Sequence, residues 1–320
     1  MLHKASETTK TLGLETAWSL WAELGLSGWT RRHSDTLIDL EPLIIATSYL
    51  GTWDSRLLEE ALDWCVLNSR FVSSIRLGNL LKSAKVPVRK AFGHFAASVG
   101  MHRKISWPSS EQPLELSLTR RSSLPGLGRP ALLQLRLRAL LGVSARAEIL
   151  RSVLLEPERF FNIAELAAGA AYGRDNVADT LEMLVLAGAV RESTMTAAGG
   201  HKVFRCAPSG ELTKVLGTLP RDRPDWQARF RVMLELADFA TADHSGPLSR
   251  AAAVYELIQA LKPELSRLAV LPQLSQGAVA VNEDFDRWSQ TTLGAWAGLE
   301  PAGKAADRRL PKTTKPSPRS

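Results

Sequence analysis

The sequence predicts a mainly helical protein with one small β-hairpin, and three observations carry that expectation. Apolar residues recur at spacings of three and four through most of the chain. Proline and glycine cut this pattern into short segments. One stretch on either side of residue 200 alternates apolar with polar residues instead, at the period of a strand. The chain has 320 residues, 45% hydrophobic and 23% charged, the proportions of a globular protein with room for two or three domains. Collagen, coiled-coil rod and low-complexity tract are thereby excluded. The longest apolar stretches, such as Leu43 to Ala46 and Leu166 to Ala171, fall far short of the roughly 20 residues that span a bilayer, so no membrane crossing is expected. Met1-Leu2-His3-Lys4 has no apolar run behind it and does not read as a secretory signal. Cys65 and Cys206 stand far apart and outside any metal-spaced cluster, which suits a reducing compartment. A cytoplasmic location is expected.

Residues 1–104 read as an N-terminal helical bundle. Leu14, Trp18, Trp21 and Leu24 mark one helix face, and a second helix runs through Leu40 to Leu50 and stops at Gly51. Asp54 can cap the next helix, whose stripe is Leu57, Leu58, Ala61, Leu62 and Val66. After Ser73-Ser74 a short helix runs through Ile75, Leu77, Leu80 and Leu81, and such tight intervals suit a helix-turn-helix arrangement. Residues 105–143 hold Pro108, Pro113, Pro125, Pro130 and the Gly126–Gly128 pair, and read as a linker with one strand at Leu114 to Leu118. Gly126-Leu127-Gly128 lacks the third glycine of a dinucleotide loop.

Residues 144–208 are the most informative. A helix from Ala145 to Leu155 carries Ile149, Val153 and Leu154 on its apolar side, and Pro157 cannot continue it. Asn162 precedes Glu165 by three residues, the spacing of a capping box, with Phe161 and Leu166 placed for a hydrophobic staple. A second helix therefore starts at Ile163 and ends near Ala171, where Tyr172-Gly173 is expected to turn through glycine's left-handed freedom. A third runs from Arg174 to Ala187 with Val177, Leu181 and Leu184 inward, and Gly188 ends it. Val190 to Thr194, the loop Ala197 to Gly200 and Lys202 to Cys206 then form the hairpin. Three helices followed by a hairpin make a winged helix-turn-helix.

Here the sequence resembles the ArsR- and MarR-like winged-helix transcriptional regulators, through Ala145-Arg146-Ala147-Glu148-Ile149-Leu150, Ile163-Ala164-Glu165-Leu166-Ala167 and Val177 to Leu184. Leu186-Ala187-Gly188-Ala189-Val190 is similar to their helix-to-wing junction. The resemblance covers about a fifth of the chain and bears on core packing more than on ligand. It implies that the third helix enters the major groove of double-stranded DNA and that the wing touches the backbone or minor groove. Arg174, Asn176 and Thr180 would then approach base edges, with Arg191, His201 and Lys202 on the wing. One feature departs from that pattern: Asp175, Asp179 and Glu182 turn outward, and residues 173–187 sum to one positive and three negative charges, or −2. Arg146, Arg151, Arg159, Arg191, Lys202 and Arg205 are the cations that could compensate.

Residues 209–300 read as C-terminal helices, with stripes at Trp226, Phe230, Met233 and Leu234, at Leu248, Val254 and Ile258, and at Phe285, Trp288, Leu293 and Trp296. Leu265, Leu268, Leu271 and Leu274 suggest one more face, broken by Pro272. In regulators of this kind such helices often build a homodimer. Net charge is +7, of which residues 303–320 supply six cations against Asp307, or +5, so a disordered basic tail at 301–320 is expected. It suits a polyanion or simply solubility.

No P-loop, HExxH, CxxC or GxSxG occurs, and the adjacent pairs Glu59-Glu60 and Glu283-Asp284 cannot converge on a substrate from one helix. The six histidines are isolated. No enzyme, cofactor or metal site is therefore expected. The sequence reads as a DNA-binding transcriptional regulator acting as a repressor, with double-stranded DNA as partner. The alternative is an antitoxin-like interaction module whose acidic third helix docks a protein.

Overall fold

A computed structural model describes residues 2–27, 29–195, 201–207 and 210–299. Among these residues the protein is mainly helical, with one small antiparallel sheet. The first helices are α1 (Leu2–Glu23), α2 (Leu40–Leu50), α3 (Ser55–Asn68), α4 (Ser74–Leu81) and α5 (Val86–His102). The middle holds α6 (Leu133–Leu141), α7 (Ala145–Leu155), α8 (Ile163–Ala170) and α9 (Arg174–Leu186), then strands β1 (Val190–Met195) and β2 (His201–Cys206). The chain continues through α10 (Gly210–Leu216), α11 (Trp226–Thr241), α12 (Pro247–Arg267) and α13 (Ala278–Trp296). None of these helices is long and apolar enough to cross a membrane. The basic tail at 301–320 and the hairpin loop at 197–200 lie outside the described residues.

The helices form two cores. Residues of α1–α5 and α11–α13 fill the first, so the stretches 1–104 and 209–300 share one interior. Trp18 and Trp21 of α1 lie in it with Trp226, Phe230 and Met233 of α11 and Trp296 of α13. Most of the C-terminal stripes are thus spent within the chain, because α1 packs directly on α11 and α13, although Leu248 of α12 stays exposed. His33 fastens the same layers: Nδ1 lies 2.8 Å from Ser19 Oγ and Nε2 2.9 Å from the Trp296 carbonyl. Burial pushes its pKa down and favours the neutral ring. The expected apolar face at 265–274 is not a helix of its own. Leu261 and Leu265 are both buried, so α12 runs on through Pro263 to Arg267, and the following residues are coil.

The second core holds α7, α8, α9, the hairpin, and Leu133 and Leu137 of α6. Part of the expected linker is therefore structural, since residues 133–141 are α6 itself. The strand expected at Leu114 to Leu118 is absent. Leu114 N–H donates to Ser98 Oγ of α5 at 2.8 Å, and Arg120 and Ser122 N–H donate to the Asp63 carboxylate of α3 at 2.8 and 3.0 Å. The alternating leucines pack against helices, where no strand edge is available for pairing.

A buried ion network joins the two cores. Arg138 of α6 bridges Glu41 of α2 at 2.6 Å and Glu148 of α7 at 2.5 Å. Arg76 of α4 bridges Asp39 at 2.7 Å and touches Glu41, and Arg151 of α7 lies 3.0 Å from Asp39. Three guanidinium groups face three carboxylates, so the cluster is formally neutral. Gln134 Nε2 donates to Asp39 and Glu148 and completes it. Burial pushes the Asp39 carboxyl up, but Arg151 and Arg76 together outweigh it and hold the group well below the usual carboxylate range. Glu148 is likewise held down to about 2, with Arg138, Arg76 and Arg151 outweighing burial. Removing one partner of such a cluster strands a buried charge, so the relative position of the cores is strongly specified.

Candidate nucleic-acid interface

α7 packs across both α8 and α9 and sets the angle at which α9 stands out. The local sequence dictates this geometry. The Asn162–Glu165 capping box starts α8, with Asn162 N–H donating to Glu165 Oε2 and Glu165 N–H to Asn162 Oδ1, both at 2.9 Å. Val177, Leu181 and Leu184 of α9 are buried against the other two helices. The turn differs from the expected one. Ala171, with φ +54°, takes the left-handed conformation, whereas Gly173 has an ordinary φ of −65° and serves as N-cap of α9. Tertiary bonds hold Ala171 there: Arg76 Nε donates to the Ala170 carbonyl at 2.9 Å and Asn79 Nδ2 to the Ala171 carbonyl at 3.0 Å. Tyr172 Oη lies 3.0 Å from Ser73 Oγ, and burial raises its pKa. Gly188, with φ +70°, ends α9 as its sequence implies.

The hairpin pairs Val190 with Cys206 and Met195 with His201. A further bridge joins it to the α7–α8 connection, where Phe161 and Phe204 exchange two N–H···O bonds of 2.8 Å. The hairpin is thus tied to the helices on both sides of α8.

The six residues expected to meet DNA fare differently. Arg174 and Asn176 are exposed on the first turn of α9. Thr180 is half-buried, and its hydroxyl donates to the Asn176 carbonyl at 2.6 Å, which occupies its proton. Arg191 and His201 are exposed at the start of their strands. Lys202 is exposed but lies 3.1 Å from Glu192 across the hairpin. The compensating cations are largely taken. Arg151 is inside the ion network, Arg159 pairs with Glu156 and Glu165 at 3.3 and 3.1 Å, and Arg205 lies 3.8 Å from Glu158 and over the Phe160 ring. Arg146, Arg174 and Arg191 remain exposed with no anionic partner among the described residues. Asp175, Asp179 and Glu182 are exposed on α9, beside Met183 and Leu186, which are 55% and 80% exposed.

A second set of cations lies outside the six expected residues: Lys82, Arg89 and Lys90 stand exposed around the α4–α5 turn. Its signal was present in the chain: no Asp or Glu occurs between Asp63 and Glu111. Both cysteines behave as small apolar groups, since burial raises the Cys65 thiol well above its ordinary range and also raises Cys206. No group of three or more metal-ligating side chains occurs among the described residues. The chain matches no protein-family model, no curated protein and no solved structure.

Proposed function

We propose that the protein is a regulator that binds double-stranded DNA, with residues 144–208 forming a winged helix-turn-helix. The observation that carries this reading is the outward first turn of α9, held by α7 and α8 and flanked by a hairpin tied to Phe161. A helix so presented fits the major groove, and a hairpin beside it reaches the backbone. Arg174, Asn176, Arg191 and His201 are the side chains free to touch DNA from this unit, while Thr180 and Lys202 act indirectly. The test is retention of the DNA upstream of its own gene in an electrophoretic shift, against unrelated DNA of equal length. Binding that weakens steeply with salt supports the reading, and no retention at low salt refutes it.

The protein-docking alternative has its own support in the acidic outer face of α9 with exposed Met183 and Leu186. It predicts a stoichiometric co-purifying partner that is lost on Leu186→Glu. A homodimer would need a surface other than the stripes of α11 and α13, which are largely buried, while Leu248 of α12 stands 78% exposed.

A further inference from the structure

The cap, first helix and second helix of residues 162–188 occur a second time in the chain, 89 residues earlier, with a different turn between them: Ala171 is left-handed, whereas its counterpart Lys82 has an ordinary φ of −58°. Ser73 caps α4 by accepting from Arg76 N–H, as Asn162 caps α8 by accepting from Glu165 N–H. Both helices have eight residues. At a constant offset and without a gap, Leu77, Leu81, Val88, Phe92 and Phe95 occupy the places of Leu166, Ala170, Val177, Leu181 and Leu184. All ten are buried. α2 packs across α4 and α5 as α7 packs across α8 and α9, although α4 and α5 touch each other less than α8 and α9 do.

The two copies differ in charge. Residues 73–99 contain Arg76, Lys82, Lys85, Arg89 and Lys90 and no Asp or Glu, a formal +5, whereas residues 162–188 contain Arg174 against Glu165, Asp175, Asp179 and Glu182, or −3. Only Arg76 of that set is buried. Lys85 pairs with Glu235, and Lys82 donates to Asn79 Oδ1 at 2.8 Å. Arg89 and Lys90 are exposed with no anionic partner among the described residues, and Lys90 stands where Asp179 stands in the other copy. Further along α5, the coil carrying Glu111 covers Gly93 and His94, so the open part is the α4–α5 turn and the first turns of α5. This basic edge adjoins the other copy, because Asn79 also donates to the Ala171 carbonyl, three residues before Arg174.

We propose that the α4–α5 turn and the start of α5, through Lys82, Arg89 and Lys90, form the main phosphate-binding surface for double-stranded DNA, ahead of α9. The assignment rests on the DNA-binding reading given above and deepens it by moving the contact to the first copy. A duplex laid along this edge meets cations at Lys82, Arg89 and Lys90 and reaches Arg174 last, which relieves the unfavourable field of Asp175, Asp179 and Glu182.

The test is fluorescence anisotropy with a mixed-sequence duplex of about three helical turns, roughly 30 base pairs, titrated over a range of salt. The full-length chain is compared with a Lys82→Gln/Arg89→Gln/Lys90→Gln variant and an Arg146→Gln/Arg191→Gln variant. All five side chains are exposed, and an unchanged thermal transition certifies folding. The triple variant is expected to bind roughly tenfold or more weaker, with the slope of log K against log salt reduced by about three. The double variant is expected to change the slope by less. Wild-type binding that the triple variant retains in full overturns this assignment and leaves the DNA reading standing. Absence of wild-type binding to any duplex overturns both. Tighter binding to single-stranded RNA of the same length overturns the choice of duplex.

Discussion

Two segments of this protein, 73–99 and 162–188, share a capped first helix of equal length and the same buried positions, yet carry opposite outer faces. The comparison separates what packing requires from what a partner requires. The inward positions accept only apolar residues in either copy. The outward positions are free to diverge, and there Lys90 stands opposite Asp179 in the alignment and Arg89 opposite Ala178. Core positions therefore record packing, and the choice of partner has to be read from exposed charge and from which charges are already paired.

The largest effect is expected where the two regions meet. Glu148→Ala leaves Arg138 without one of its buried carboxylates and should cost about 3–5 kcal/mol by urea denaturation. A cost below 1 kcal/mol would mean that the network does not fix one region against the other. Equivalent core truncations come next: Phe92→Ala should cost about 3–5 kcal/mol and Leu181→Ala about 2–5 kcal/mol. Separate transitions for the two variants would show that the cores unfold independently.

Acid should expose the same junction. Asp39 and Glu148 have folded pKa values below their ordinary 3.8 and 4.5. Their stabilisation is therefore fully present above about pH 4.5 and is lost as pH falls toward the folded value of about 2 for Glu148. A urea midpoint that stays constant from neutral pH to pH 3 would contradict the network. Smaller again, Asn162→Ala should cost about 1 kcal/mol through the lost cap. Ser73→Ala should cost more than Asn162→Ala, because Ser73 Oγ also meets Tyr172 Oη. The exposed pair Lys202–Glu192 should matter least, with Lys202→Gln changing stability by less than about 0.5 kcal/mol.

Much of this architecture was legible in the chain. Helix stripes such as Val177, Leu181 and Leu184, the Asn162–Glu165 box and the Asp54 cap are local features, set by residues a few positions apart, and the structure carries them as the sequence implies. What was not legible depended on distant partners. The left-handed turn fell on Ala171 instead of Gly173 because Arg76 and Asn79, more than ninety positions away, grip the carbonyls of Ala170 and Ala171. Leu114 to Leu118 alternate like a strand, but Ser98 and Asp63 take the donors of this coil. The loss of Arg151 to the ion network was equally hidden, since its partner Asp39 is remote in sequence. The repeat at an offset of 89 residues was readable from Leu77, Val88 and Phe92 against Leu166, Val177 and Leu181. It hides because only the buried positions match.

Amide hydrogen exchange of the full-length protein with and without a duplex distinguishes the two regions most directly. Residues 82–90 should be protected when DNA is added, with weaker protection at 174–176. Protection confined to α9 and the hairpin, or none at 82–90, would contradict the assignment of the DNA-facing surface to the first copy.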